Sequence, residues 1–142
     1  MRHFSASRIL YIDGNQQGGE VISTLKRVEN CAYCVATAST PREALELIAG
    51  EPFDLFILEN SLSEMSGVEL CRRIRKTDRQ TPILFFTGRE RVAECEVSIA
   101  AGATEYLIKP IGAESLIETV RRLLHEFHAG KSKNQTACWL AK

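Results

Sequence analysis

The chain has 142 residues, 44% of them hydrophobic and 25% charged, which suits a single globular domain with a core of its own. Eighteen basic side chains balance eighteen acidic ones, which excludes the basic excess of a general nucleic-acid binder and the charge blocks of a disordered tail protein. No apolar run is long enough for a transmembrane helix, and Met1-Arg2-His3-Phe4-Ser5 lacks the apolar stretch of a signal peptide. Five cysteines, an odd number, suit a reducing cytoplasm better than a disulfide framework.

Residues 8–12 (RILYI) form an apolar, β-branched run that ends in the turn signal Asp13-Gly14-Asn15. Val21, Ile22, Leu25 and Val28 then recur at helical spacing. Residues 33–38 (YCVATA) predict a second strand. Thr40-Pro41-Arg42-Glu43 is a capping box with proline at the first helical position, and Gly50 closes that helix. Residues 53–58 (FDLFIL) predict a third strand, apolar enough to be buried on both faces. A second capping box, Ser66-Gly67-Val68-Glu69, opens a helix over 68–76. Residues 82–86 (PILFF) give a fourth buried strand, followed by Thr87-Gly88. Val92, Cys95 and Ile99 mark a helix that stops at Gly102. Residues 104–108 (TEYLI) are the fifth strand, ended by Pro110. Leu116, Ile117, Val120, Leu123, Leu124 and Phe127 make the strongest amphipathic helix. Residues 129–142 (AGKSKNQTACWLAK) are polar and irregular before Cys138-Trp139-Leu140. The expected division is a domain over 1–128 and a linker or tail over 129–142.

Apolar strands alternating with helices predict an α/β fold, a doubly wound five-stranded parallel sheet with helices on both faces. Its crossovers are right-handed. Functional groups in such a sheet gather beyond the carboxyl ends of the strands. The turns there supply Asp13, Glu59, Thr87 and Lys109. Two carboxylates, a hydroxyl and an ammonium can hold a cation on one side and an anion on the other.

ILYID, LEN with Gly67 eight residues past its Glu, FFTG and GATEYLIKP stand in order along the chain. Together they resemble the receiver domain of bacterial two-component response regulators, over about residues 7–127. The resemblance implies a flavodoxin-like, CheY-like fold and a cytoplasmic signalling role rather than an enzyme's. In the family, two adjacent acids after the first strand and an Asp ending the third bind Mg2+. That Asp accepts a phosphoryl group from a histidine kinase, and a Thr or Ser and a Lys hold the phosphoryl oxygens. The implied roles are acidic pocket for Asp13, phosphoryl contact for Thr87 and Lys109, and switch for Thr87 and Tyr106.

Three positions depart from the pattern. Glu59 stands at the phosphoacceptor position, Gly14 at the second acidic position, and Ser63 where a proline is usual. Mg2+ needs near-octahedral oxygen geometry, so Asp13 and Glu59 without an acid at 14 predict weak or absent Mg2+. The extra methylene of Glu59 carries its carboxylate roughly 1.5 Å further than that of Asp. Phosphoryl transfer depends on positioning, so little phosphorylation is expected. The longer side chain reaches toward the place of a phosphoryl group, where a pair with Lys109 would give a fixed, partly active-like state.

The expected function is a phosphorylation-independent pseudo-receiver in two-component (phosphorelay) signalling. Its expected partners are a histidine kinase, a phosphotransfer protein, another receiver or an output domain. A homodimer through helix 4, strand 5 and helix 5 is a further expectation; membrane and direct nucleic-acid contacts are not expected. One alternative is a phosphorylatable receiver using Mg2+ held by Asp13 and Glu59. The other is a flavodoxin-like FMN-binding redox protein, against which the turn Asp13-Gly14-Asn15-Gln16 lacks the Ser/Thr that a phosphate calls for.

Plainer readings stand beside these. Asp13 also suits an ordinary turn, Glu59 a solvated strand end, and Tyr106 a half-buried strand. Cys31-Ala32-Tyr33-Cys34 has CxxC spacing but opens a strand, where its two thiols point to opposite faces. The glycine-rich run 14–19 matches no phosphate-loop pattern. His125 and His128 lie near a helix C-terminus, where the dipole favours them. The charges on helix 4, Arg89, Glu90, Arg91, Glu94 and Glu96, fit a solvated face as well as a docking face.

Overall fold

The structure, a computed structural model, describes residues 6–14, 19–26, 33–88, 92–109 and 111–140; the side chains of 19, 20, 22, 26, 92–94 and 131–140 lie outside the description. Asn15 to Gly18, Cys31, Arg89, Glu90, Arg91 and Pro110 therefore fall outside the described residues.

Five strands alternate with five helices: β1 (Ser7–Ile12), α1 (Gly19–Lys26), β2 (Tyr33–Ala38), α2 (Pro41–Gly50), β3 (Leu55–Leu58), α3 (Gly67–Thr77), β4 (Ile83–Thr87), α4 (Val92–Ala101), β5 (Glu105–Ile108) and α5 (Ala113–Leu140). The strands form one parallel sheet in the order β2-β1-β3-β4-β5. This is the doubly wound α/β fold expected from the alternation, in the flavodoxin-like form that the resemblance implies. The order reverses between β1 and β3, so a crevice opens beyond the carboxyl ends of those two strands.

Successive strand residues point to opposite faces, and the core divides accordingly. Leu10, Ile12, Phe56, Leu58, Ile83 and Phe85 pack with Ala44, Leu70 and Ile74 of α2 and α3. Ile9, Tyr11, Leu55, Ile57, Leu84 and Phe86 pack with Val21 and Leu25 of α1 and with Leu116, Val120, Leu123 and Leu124 of α5. The central strands β3 and β4 are buried throughout, which is why their sequences read as unbroken apolar runs.

Both N-caps form. The Thr40 hydroxyl accepts the Glu43 amide at 3.1 Å, with Pro41 at the first helical position, and the Ser66 hydroxyl accepts the Glu69 amide at 3.1 Å. The Glu43 carboxylate reaches back one residue further than the motif requires, to the Ser39 amide at 2.8 Å. Gly102 ends α4 at φ +118, where a side chain is strained and a Cβ would meet Arg75 Cγ at 2.6 Å.

Arg75 explains that approach. Its guanidinium donates to the carbonyls of Gly102 at 2.9 Å, Asp78 at 3.1 Å and Thr81 at 2.7 Å. It also reaches the Thr104 hydroxyl at 3.5 Å. The end of α3, the start of β4 and the α4–β5 turn are thus joined through one side chain. Burial outweighs nearby charges and lowers the pKa of Arg75 from its ordinary value. Beside it, burial pushes the Asp78 carboxyl up, but the Thr81 hydroxyl, the Thr81 and Gln80 amides and Arg75 outweigh it and hold the pKa below its ordinary value. A depressed folded-state pKa contributes stability above the unfolded value, about 4, and loses it as pH falls through the folded pKa. Asp78→Asn is expected to cost about 1 kcal/mol at neutral pH through weakened hydrogen bonds. That cost should shrink below about pH 4 in urea melts run at both pH values.

One expectation is corrected. Residues 129–140 are helical, the last part of α5, not irregular. No proline lies beyond Pro110, so one glycine, Gly130, is the strongest helix breaker in that stretch and costs only about 1 kcal/mol. In α4, Ile99 is 46% exposed and Ser98 takes the inward place, its hydroxyl buried without a hydrogen-bond partner among the described residues.

Candidate functional site

Register brings the strand ends together. Ile12 lies beside Leu58, so the next residues, Asp13 and Glu59, leave the sheet side by side. Their amides stay tied to it, Asp13 N–H to the Ala38 carbonyl at 3.1 Å and Glu59 N–H to the Ile12 carbonyl at 3.0 Å. Thr87 lies beside Ile108, and the Lys109 N–H donates to the Thr87 carbonyl at 2.6 Å.

Alternation then sorts the side chains. Tyr11, Asp13, Glu59, Phe86 and Lys109 share the parity of the α1–α5 face, and Thr87 and Tyr106 share that of the α2–α3 face. On the first face Lys109 Nζ donates to Glu59 Oε2 at 3.0 Å and sits 5.1 Å from the Phe86 ring centroid. The Asn60 amide donates to the other Glu59 oxygen, Oε1, at 3.0 Å. Glu59 is 7% exposed, and these donors meet both of its oxygens. On the second face Tyr106 stacks on Phe85, with centroids 5.9 Å apart and planes at 9°. Thr87 is fully buried, and its hydroxyl has no hydrogen-bond partner among the described residues.

Asp13 is also buried, and the Tyr11 hydroxyl donates to its Oδ2 at 3.0 Å. Burial first, then the charge of Asp13 and the hydrogen bond to it, then the charge of Glu59, push the Tyr11 phenol far above its ordinary pKa. It stays a donor throughout the physiological range.

The loop after β3 is bound to α3. The Gly67 N–H donates to the Asn60 carbonyl at 3.0 Å and the Val68 N–H to Asn60 Oδ1 at 3.3 Å. Glu64 takes φ 71 and the Met65 N–H closes on the Ser63 carbonyl at 2.8 Å. Gly67 is tightly packed, since a Cβ there would lie 2.6 Å from the Glu59 carbonyl oxygen, 2.9 Å from Asn60 Cα and 3.1 Å from Phe85 Cε2. Gly14 is not, for a Cβ there would meet nothing nearer than the Ser39 carbonyl oxygen at 3.5 Å.

The structure therefore puts Asp13, Glu59, Thr87 and Lys109 at one end of the sheet and joins Glu59 to Lys109 directly. Tyr106 lies over Phe85 on the other face. Reasoning from sequence missed Tyr11 and Asn60. Tyr11 was findable, because it stands two residues before Asp13 on one strand and so on the same face. Among the described residues no three His, Cys, Asp or Glu side chains are grouped to hold a metal ion. No described helix is long and apolar enough to cross a membrane.

The response regulator receiver domain family matches residues 9–121. Response regulator MprA of Mycolicibacterium vanbaalenii is 37% identical over 117 residues, covering 82% of this chain and 50% of the relative. MprA of Mycobacterium leprae is 35% identical over the same length and coverage. The chain spans about half the length of these curated relatives. Among solved structures, a CheY-like receiver domain protein of Methanospirillum hungatei superposes with a TM-score of 0.79 at 29% identity, covering 89% of this chain and 99% of that one. Chemotaxis response regulator CheY4 of Vibrio cholerae gives 0.75 at 30% identity, covering 84% and 99%.

Proposed function

The chain belongs to the response regulator receiver domain family of two-component signalling, and on that premise we propose that it signals by protein contact without being phosphorylated. One observation carries the proposal: Glu59 and Lys109 already hold each other at 3.0 Å. In this reading Glu59 stands at the acceptor position and Lys109 at the position that would grip a phosphoryl oxygen. The carboxylate then takes the ammonium that an incoming phosphoryl group would need. It carries one negative charge where a phosphoryl carries about 1.5 to 2, so it holds the site in a partly active-like state. Thr87 and Tyr106 are the switch residues of this reading.

The donor set argues against a resident Mg2+. Both Glu59 oxygens accept N–H donors, Asp13 Oδ2 accepts the Tyr11 hydroxyl, and Gly14 brings no side chain. Those bonds compete with a metal ion for the same carboxylate oxygens, and the site lacks the second acid that would offset them. No step of the proposed function passes through a metal, and the domain is read as a non-enzymatic module. Flavin binding rested on fold analogy alone, and family membership gives it no support.

Response regulators work with histidine kinases and output domains, and a partner of that kind is proposed here, with a phosphotransfer protein or another receiver in the same class. The face of α4, β5 and α5 is the proposed docking surface. Val97 and Ile99 of α4 are 45% and 46% exposed, one on each side of the buried Ser98, and Arg122 pairs with Glu105 at 2.9 Å between α5 and β5. Residues 129–142 are proposed as a connector, carried at least to Leu140 by helix α5.

Incubating the purified chain with Mg2+ and acetyl phosphate is expected to leave its intact mass unchanged. Gain of one phosphoryl mass would return phosphorylation as the mechanism.

A further inference from the structure

Tyr11 is the unassigned group closest to the acidic site. It is 1% exposed and lies in the middle of the sheet, so its ring cannot swing out to water. Strand parity aims it along the same face as Asp13, and its hydroxyl stands 3.0 Å from Oδ2. The charge of Glu59 also acts on the phenol, which places the hydroxyl within electrostatic reach of both carboxylates.

We infer that the Tyr11 hydroxyl is the internal counter-group of Asp13 and closes the acidic site to divalent cations. The inference deepens the metal-free reading of the site and rests on its assignment of 13, 14 and 59 as the acidic positions. An ion approaching Asp13 meets the positive end of an O–H dipole. To bind at Oδ2, the oxygen the hydroxyl holds, it must displace a hydrogen bond made to a charged acceptor and leave a buried hydroxyl without that partner. Displacing such a bond costs about tenfold or more in affinity. Mg2+ is poorly placed to meet this cost, because it dehydrates reluctantly and accepts little distortion of its shell. The hydroxyl thus acts as a specificity-determining group: the carboxylate stays, and the ion is refused. Tyr11 is a positioning residue here, acting on the ion through Asp13.

The test separates the hydroxyl from the missing acid. The space at Gly14 admits a side chain, with ordinary contacts of 3.5 and 3.8 Å to its neighbours. Gly14→Asp/Glu59→Asp is therefore prepared with Tyr11 retained and with Tyr11→Phe, which keeps the ring in the core. MgCl2 is titrated into each by calorimetry, with circular dichroism melts to show that both fold. The Tyr11→Phe form is expected to bind Mg2+ about tenfold tighter or more. Equal affinities overturn the inference and leave the phosphorylation-independent reading standing. Binding by neither overturns it as well, by removing the acidic-site assignment beneath it. Phosphorylation of the wild-type chain, read by mass, would sink the proposed function without touching this comparison. If Glu59→Asp prevents folding, the same pair is compared in Gly14→Asp alone, with the same outcomes.

Discussion

Lys109→Met is expected to destabilise the domain by about 3 kcal/mol, because it leaves the buried Glu59 carboxylate without its ammonium. Methionine keeps most of the apolar stem beside Phe86, so the loss reports the charge rather than the packing. The pair is not wholly buried, with Lys109 at 29% and Glu59 at 9% side-chain exposure, which puts the cost at the lower end for a broken buried pair. Adding Glu59→Gln removes the stranded charge and is expected to return about 2 kcal/mol. Urea denaturation of the two single variants and the double completes the cycle. A coupling near zero would mean that solvent screens the pair, and the fixed-state reading would lose its footing.

Gly67→Ala is expected to cost about 2–3 kcal/mol, the range for a methyl forced into a filled site. Two of the three atoms it would strike belong to backbone, Glu59 O at 2.6 Å and Asn60 Cα at 2.9 Å, and cannot rotate aside. Gly14→Ala is the control. Its nearest contacts are 3.5 and 3.8 Å, and a change within about 0.5 kcal/mol is expected. Thermal melts of the two variants side by side give the comparison; equal midpoints would show that α3 yields at its first turn.

The sheet was legible because its strands are punctuated. β2 ran from 33 to 38 as read, and both capping boxes marked helix starts within one residue. Strand β3 starts two residues later than its apolar run, since Phe53 packs on Phe56 from the loop and Asp54 accepts the Arg8 amide at 2.7 Å. Composition alone could not show that α5 continues to Leu140, because polar residues without proline suit a helix as well as a linker. Within the site, Asp13, Glu59, Thr87 and Lys109 were visible as the polar residues ending buried strands. Their partners were less so. Asn60 meets Glu59 through its backbone amide, which carries no signature in sequence, and Tyr11 looked like one more apolar strand residue until its hydroxyl had a direction. Arg75 was equally silent, because three of its acceptors are carbonyls brought near by the fold.

The hub at Arg75 has a mechanical corollary. It grips the Gly102 carbonyl, so α4 is a rod clamped at one end. A clamped rod tilts about its fulcrum, and its far tip travels furthest. Val97 is exposed part-way along. Val92 lies five residues beyond Val97, ~7 Å further from the clamp, so a push at Val97 is magnified roughly twofold there. That tip is the end of α4 nearest in sequence to the strand end at Thr87.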